Sequence, residues 1–308
     1  MSKVTTIGGQ ALLEGIMMLG PKKAVAAFCD ADGEISTKDI EVKFMRDKYP
    51  VLGKPFIRGV FNYIDTMKLG MQSMQLAADM IEEEEPESKF DKWLTEKIGD
   101  KMTVVITTVG SVLGVALSLF LFMYLPVQAF NGFQFLIGKD IEVFRALFEG
   151  LIKVLIFVGY IVGISFVPDI KRVFMYHGAE HKAIFCYEAD LELTVENVKK
   201  QKRFHPRCGT SFLVILIVLG VIVGMFIPFT NALIRTFFKI LTLPVIVSLG
   251  YELIKLCGKY DNLFTKIIRA PGLWVQRITT KEPDDKMMET AIIALKAVIP
   301  ENGEDIVK

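Results

Sequence analysis

The chain has 308 residues, is 52% hydrophobic and carries a formal net charge of only +1, from 36 Lys and Arg against 35 Asp and Glu. That balance gives no electrostatic footprint for nucleic acid, which is excluded as an expected partner. Its four cysteines, Cys29, Cys186, Cys208 and Cys257, include no C-x-x-C pair, so reduced thiols or isolated ligands fit better than a disulfide framework.

Residues 1–90 read as a small cytosolic α+β region. The start of the chain has one lysine and no apolar core of signal-peptide length, so no cleaved leader is expected. Residues 7–21 combine Gly8-Gly9, an acidic Glu14 among apolar residues and a Gly20-Pro21 stop. They read as a buried turn and helix packed tightly against a neighbour, without the Lys-Ser/Thr of a phosphate-binding loop. Residues 24–29 and 34–44 read as a hairpin. Their connection, Asp30-Ala31-Asp32-Gly33, is a turn rather than a calcium loop, because the remaining ligands of that pattern are missing. Residues 54–80 have helical period, with Ile57, Val60, Phe61, Ile64, Met67, Met71 and Met74 on one face. The acidic run at 82–86 then reads as a solvated break.

Residues 91–258 hold segments of membrane-spanning length near 103–125, 144–167, 211–229 and 236–256. The expected fold is mainly α and integral to a membrane: a four-helix transmembrane bundle with a cytosolic helical loop at 169–210 and a cytosolic tail. Pro126 is expected to end the first span, leaving 127–137 as an interfacial or re-entrant piece. Three glycine pairs with small-xxx-small spacing (Gly110 and Gly114, Gly159 and Gly163, Gly220 and Gly224) suggest closely approaching helices. Lys89, Lys92, Lys97 and Lys101 precede the first span, eight Lys and Arg fall between the second and third, and Lys255, Lys259, Lys266 and Arg269 follow the fourth. The other loops are nearly free of positive charge, which puts both termini and the 169–210 loop in the cytosol. Charges within the spans, Glu149, Lys153 and Glu252, are expected to snorkel or pair. Lys199, Lys200, Lys202, Arg203 and Arg207 would sit against anionic lipid headgroups of the bilayer.

All three histidines lie in or beside that loop, two of them in Tyr176-His177-Gly178-Ala179-Glu180-His181 and one in His205-Pro206-Arg207-Cys208. On a helix, His177 and His181 are one turn apart and face the same way. A hydrolytic zinc site needs about three protein ligands, an open position for water and a nearby carboxylate. H-x-x-E-H is an inverted form of the zincin signature and gives Glu180 the general-base role. His205 is the expected third ligand, with Cys208 or Glu188 in reserve. Pro206 favours an extended backbone at His205, so this ligand would arrive from a loop. Arg207 would steady a developing negative charge. The expected cofactor is a divalent ion, zinc first. The competing structural account has the histidines hydrogen-bonded to Glu180, Glu188 or backbone carbonyls, and Cys186 reads as a small buried residue. In the tail, 259–308, residues 284–298 form an amphipathic helix capped by Pro283-Asp284.

Three functions follow in order of expectation. The first is a metal-dependent membrane enzyme, a hydrolase at the cytosolic face. The second is a non-catalytic scaffold or assembly factor, binding a protein partner or its own copies through the soluble ends. The third is a small transporter, suggested by Glu149, Lys153, Glu252 and Pro244, although no inverted repeat is visible.

Four motifs carry a family resemblance: Gly8-Gly9-Gln10-Ala11-Leu12-Leu13-Glu14-Gly15-Ile16-Met17-Met18, Tyr176-His177-Gly178-Ala179-Glu180-His181-Lys182, His205-Pro206-Arg207-Cys208-Gly209-Thr210-Ser211 and Pro271-Gly272-Leu273-Trp274-Val275-Gln276. Together they resemble the bacterial membrane family known as domain of unknown function 1385, often labelled a predicted metal-dependent enzyme. The resemblance covers nearly the whole chain. It implies a multi-pass protein of the bacterial plasma (inner) membrane and adds little about a substrate.

Overall fold

Four strands, β1 (Gly8–Leu12), β2 (Gly15–Leu19), β3 (Ala24–Cys29) and β4 (Ile35–Ile40), form one antiparallel sheet in the order β1-β2-β3-β4. They belong to a computed structural model in which residues 3–82 and 102–306 are described. The second hairpin is the expected one: the Asp30 carboxylate accepts from the Glu34 N–H at 2.8 Å and Gly33 takes a left-handed φ of 82°. The first hairpin corrects the helix expected over 7–21. Gly8, Gly9 and Gly15 are poor helix formers, and Glu14 occupies a left-handed position, φ 49°, between the strands. Its carboxylate is held by the Arg172 guanidinium. A side chain at Gly15 is excluded, since an added Cβ would lie 2.5 Å from the Ala27 carbonyl oxygen.

Eleven α-helices follow among the described residues. A short α1 (Met45–Lys48) leads into α2 (Ile57–Glu82), the helix expected from periodicity. Its Ile57, Ile64, Met67, Met71 and Met74 stripe is exposed, while Leu69, Ser73 and Ala77 are buried. Most of the acidic run at 82–86 lies outside the described residues, as do Lys89, Lys92, Lys97 and Lys101. Next come α3 (Met102–Leu119), a π-helical turn at Phe120–Tyr124 and α4 (Leu125–Ile137). These run on without a break, so Pro126 does not end the span. The π turn has already shifted the hydrogen-bond register there, so the amide that proline lacks falls where the ladder is interrupted. The remaining helices are α5 (Arg145–Ile164), α6 (Pro168–Glu188), α7 (Val195–Lys199), α8 (Gly209–Gly224), α9 (Ala232–Lys259), α10 (Leu263–Thr279) and α11 (Asp285–Val298).

Among the described residues three helical stretches are long and apolar enough to cross a membrane: Thr108–Ile137, Glu142–Ile164 and Ala232–Lys259. The third expected span, 211–229, reduces to α8, an apolar helix of 16 residues. At about 1.5 Å per residue that is roughly 24 Å, short of a hydrocarbon core of about 30 Å. The chain is therefore a mainly helical, membrane-associated protein with a small N-terminal sheet. The glycine pairs read as packing sites face open space, because a Cβ added at Gly110, Gly114, Gly159, Gly163, Gly220 or Gly224 would meet nothing within 4 Å. Close approach occurs at Gly150 instead, where a Cβ would lie 2.3 Å from Val221 Cγ2.

The chain divides into two compact units, one drawn from residues 1–78, 158–216 and 244–308, the other from 79–157 and 217–243. In the second, Glu149 is buried and paired with Arg235 at 2.9 Å and Lys239 at 2.5 Å, so this carboxylate pairs rather than snorkels. In the first, α6 and α11 lie on the sheet. Ile16, Met18, Val25 and Ala27 meet Tyr176, Ala179 and Ala183 of α6 and Met288, Ala291, Ile292 and Leu295 of α11. The Asp284 side chain caps α11 by accepting from the Met287 N–H at 2.8 Å. Gly178 is the contact that shapes the site. An added Cβ there would lie 2.1 Å from the Lys281 carbonyl oxygen, so only glycine lets the segment after α10 cross α6 beside His177. The Lys281 N–H seals that crossing by donating to Phe174 O at 2.8 Å.

Candidate metal centre

Helical spacing on α6 sets His177 and His181 ring against ring, with centroids 4.4 Å apart. Each ring is oriented by a backbone carbonyl, which can only accept. His177 Nδ1 donates to Thr279 O at 2.8 Å and His181 Nδ1 donates to Arg203 O at 2.6 Å. In the neutral rings, the form that binds a metal, both Nε2 atoms then carry the free lone pair. His177 Nε2 lies 3.0 Å from Cys208 Sγ, while His181 Nε2 is buried with no hydrogen-bond partner among the described residues. The two Nε2 positions and the cysteine sulfur form one cluster whose ligand atoms all lie within 4.8 Å of one another. Zinc bonds of about 2.0–2.3 Å at tetrahedral angles place ligand atoms roughly 3.4–3.7 Å apart, so the set fits a small divalent ion after slight side-chain adjustment. Carbonyl-anchored imidazoles with a bare buried nitrogen are what metal-binding histidines require.

Glu180 is buried against the same cluster, hydrogen-bonded by the Gly9 N–H and close to the charges of His177, His181 and Cys208. A Cβ at Gly9 would approach its carboxyl carbon to 3.1 Å and Met17 O to 2.7 Å, so glycine is needed there. Burial lifts the Glu180 carboxyl above its ordinary range against the pull of the two histidines. Burial alone would also raise the Cys208 thiol, but the charges of His177 and His181 draw it well below its usual value. His177 would be lowered by burial, yet the negative charge of Cys208 and the hydrogen bond to it push the imidazole up to about 9.

Without a metal this pair is a thiolate and an imidazolium. Metal-free protein at neutral pH is expected to show thiolate ultraviolet absorbance that Cys208→Ser lacks. The band should fade as pH falls through the depressed thiol pKa. Burial raises the Cys29 and Cys186 thiols, so they add nothing at neutral pH, and Cys257 is common to both proteins and cancels in the comparison. Identical spectra for the two proteins would contradict the pairing.

His205, expected as the third ligand, is turned elsewhere. Its ring is 5.6 Å from that of His181, centroid to centroid, but Nδ1 accepts from the Arg207 N–H at 3.3 Å and Nε2 faces Glu188 Oε2 at 3.5 Å. Gln276 of α10 fixes its backbone, accepting from the His205 N–H at 2.8 Å and donating to His205 O at 2.7 Å. Cys208, held in reserve for that place, is the side chain that lies beside His177 Nε2, at 3.0 Å. Arg207, expected to steady a developing charge, holds Glu188 with its guanidinium and donates to Thr5 O at 2.5 Å. Of the five basic residues expected at lipid headgroups, three make ion pairs with the chain's own carboxylates: Lys199 with Asp285 at 2.8 Å on the surface, Arg203 with Glu282 at 3.0 Å and Arg207 with Glu188. The carbonyls of Thr279 and Arg203 have no sequence signal. Gln276 and Gly9 do stand inside the quoted motifs, although their roles depend on tertiary contacts.

The fold and the cluster define a class: a membrane-associated helical protein whose α6 and following loop gather two histidines, one cysteine and a buried glutamate. The chain belongs to the family described as Protein of unknown function (DUF1385), whose model matches residues 54–301. It is 35% identical over 296 residues to "Uncharacterized protein YqhQ" of Bacillus subtilis (strain 168), covering 92% of this chain and 89% of that protein. No solved structure matches.

Proposed function

We propose that this protein is a metal-dependent membrane enzyme of the hydrolase class, with its centre on the cytosolic side of a bacterial plasma membrane. The observation that supports it is the convergence of His177 Nε2, His181 Nε2 and Cys208 Sγ, with both Nδ1 atoms tied to carbonyls and one Nε2 bare. Three ligands leave a position for water, as in catalytic rather than closed structural sites. A divalent ion held there supplies Lewis acidity and a more acidic water. Glu180, held by Gly9, stands on the same cluster to take a proton and return it to a leaving group. The topology is read from the Lys and Arg distribution: four crossings, the third made by α8 and the residues after it, with both termini cytosolic.

A second reading, a structural metal with Glu180 as fourth ligand, is favoured by the burial of Glu180 and Cys208. Glu180→Gln separates the two in a bacterial deletion strain. The catalytic reading expects this variant to keep its metal and thermal midpoint yet fail to complement, since loss of a general base costs about 100- to 10,000-fold in rate. Full complementation by Glu180→Gln would sink the catalytic reading, and loss of metal from that variant would establish the structural one.

A further inference from the structure

The helix α10 has two opposite faces. Thr265, Gly272, Val275, Gln276 and Thr279 are buried. They include the side chain that fixes His205, and Thr279 supplies the carbonyl that orients His177. The opposite face carries Leu263, Ile267 and Trp274 at helical spacing, with Phe264 at its edge. These four are exposed by 75%, 63%, 55% and 63% respectively. A helix needs one apolar face to pack on its own protein; a second one facing outward calls for another apolar surface.

The identity of that surface follows from what surrounds the stripe. Asn262 caps α10 only three residues after Lys259 ends α9, one of the helices able to cross a membrane. The stripe therefore begins where a span leaves the bilayer. Residues 253–280 carry Lys255, Lys259, Lys266, Arg269 and Arg277 against a single carboxylate, Asp261, which leaves a net charge of +4. Asp261 engages Arg269 at 2.5 Å and Lys266 at 3.6 Å, while Arg277 borders the stripe and is exposed. Bulky apolar residues, a tryptophan and bordering cations along one helix are the pattern of a helix lying in the interfacial plane of an anionic membrane.

We infer that α10 lies in the headgroup region of the anionic leaflet that α9 exits, with Leu263, Phe264, Ile267 and Trp274 buried among the upper acyl carbons and Lys266 and Arg277 at lipid phosphates. The lipid surface is the occupant of the stripe, because the stripe continues a membrane span and its bordering charge complements anionic lipid. The inference concerns α10 alone and holds whether or not the histidines carry an ion. It also gives the candidate centre a location: the face that holds His177 and His205 is about one helix diameter, roughly 10 Å, from the lipid.

The chain contains two tryptophans, Trp93 and Trp274, so Trp93→Phe leaves Trp274 as the sole reporter. The full-length protein is placed in nanodiscs of phosphatidylglycerol and phosphatidylcholine brominated at either shallow or deep acyl positions. Shallow bromine is expected to quench Trp274 at least twofold more than deep bromine, with little quenching by aqueous acrylamide. The shallow quenching should drop in pure phosphatidylcholine discs, and in Lys266→Glu/Arg277→Glu with an unchanged thermal midpoint. Free access of acrylamide to Trp274 without quenching by bromolipid would overturn the inference. Equal quenching in anionic and zwitterionic discs would overturn its anionic part.

Discussion

Glu188→Ala is expected to destabilise the protein by about 3–5 kcal/mol, the usual cost of removing one partner from a buried ion pair. The Glu188 carboxylate is buried and accepts from the Arg207 guanidinium and from the Thr5 N–H at 2.9 Å, with His205 Nε2 at 3.5 Å. Its loss leaves a guanidinium and an imidazole facing each other, with only the Thr5 carbonyl still accepting from Arg207. Thermal unfolding of the detergent-solubilised protein should show the midpoint fall by on the order of 10 °C. Burial would raise the Glu188 carboxyl, but the hydrogen bond from His205 and the charge of Arg207 hold it below its ordinary range. A carboxylate with a lowered folded-state pKa stabilises above its unfolded value and loses that contribution as pH falls through the lowered one. Glu188→Gln should therefore flatten the acid side of the stability profile. An unchanged midpoint and acid limb would mean that water, not Glu188, satisfies Arg207 and His205.

Glu149→Ala is expected to have an effect of similar size through a different environment. Glu149, Arg235 and Lys239 are all buried within helices of membrane-crossing character, and Arg145 Nη1 adds a longer contact to Glu149 at 3.7 Å. Arg145 has a second partner in Glu142 at 2.6 Å, and Arg235 is also satisfied by the carbonyls of Gly224, Ile227 and Phe229. For Lys239 no acceptor other than Glu149 is seen among the described residues. Removing the carboxylate strands that ammonium group, at a cost again of about 3–5 kcal/mol. The signature that separates this from a generic packing loss is compensation. Glu149→Met/Lys239→Met should recover much of the monodisperse yield and thermal midpoint lost in Glu149→Met alone. A double variant no better than the single one would contradict the pairing.

Local rules made some of this molecule legible from its sequence. The turn from Asp30 to Gly33, the period of α2, the Asp284 cap of α11 and the one-turn spacing of His177 and His181 are each fixed by residues within a few positions of one another. Long-range contacts hid the rest. Whether Pro126 ends a helix depends on a π turn before it. The third expected span is a helix of 16 residues because α8 ends at Gly224, short of the apolar run's end. The His205-Pro206-Arg207-Cys208 motif was located, but Gln276, 71 residues away, decides which of its side chains faces the histidine pair. By gripping the His205 backbone it leaves that ring to Glu188 and presents Cys208 to His177 at 3.0 Å. Gly8-Gly9 reads as turn and helix until β1 is seen paired with β2 and the Gly9 amide is seen on Glu180.

The central claim, a metal held by His177, His181 and Cys208, is tested most directly by elemental analysis of purified protein. Wild type, His177→Ala/His181→Ala, Cys208→Ser and His205→Ala would be measured at matched concentration after reconstitution with divalent ions. The account predicts a near-stoichiometric divalent ion in wild type and in the folded fraction of His205→Ala, and its loss from the other two. Absence of metal from wild type, or loss from folded His205→Ala as complete as from Cys208→Ser, would contradict it.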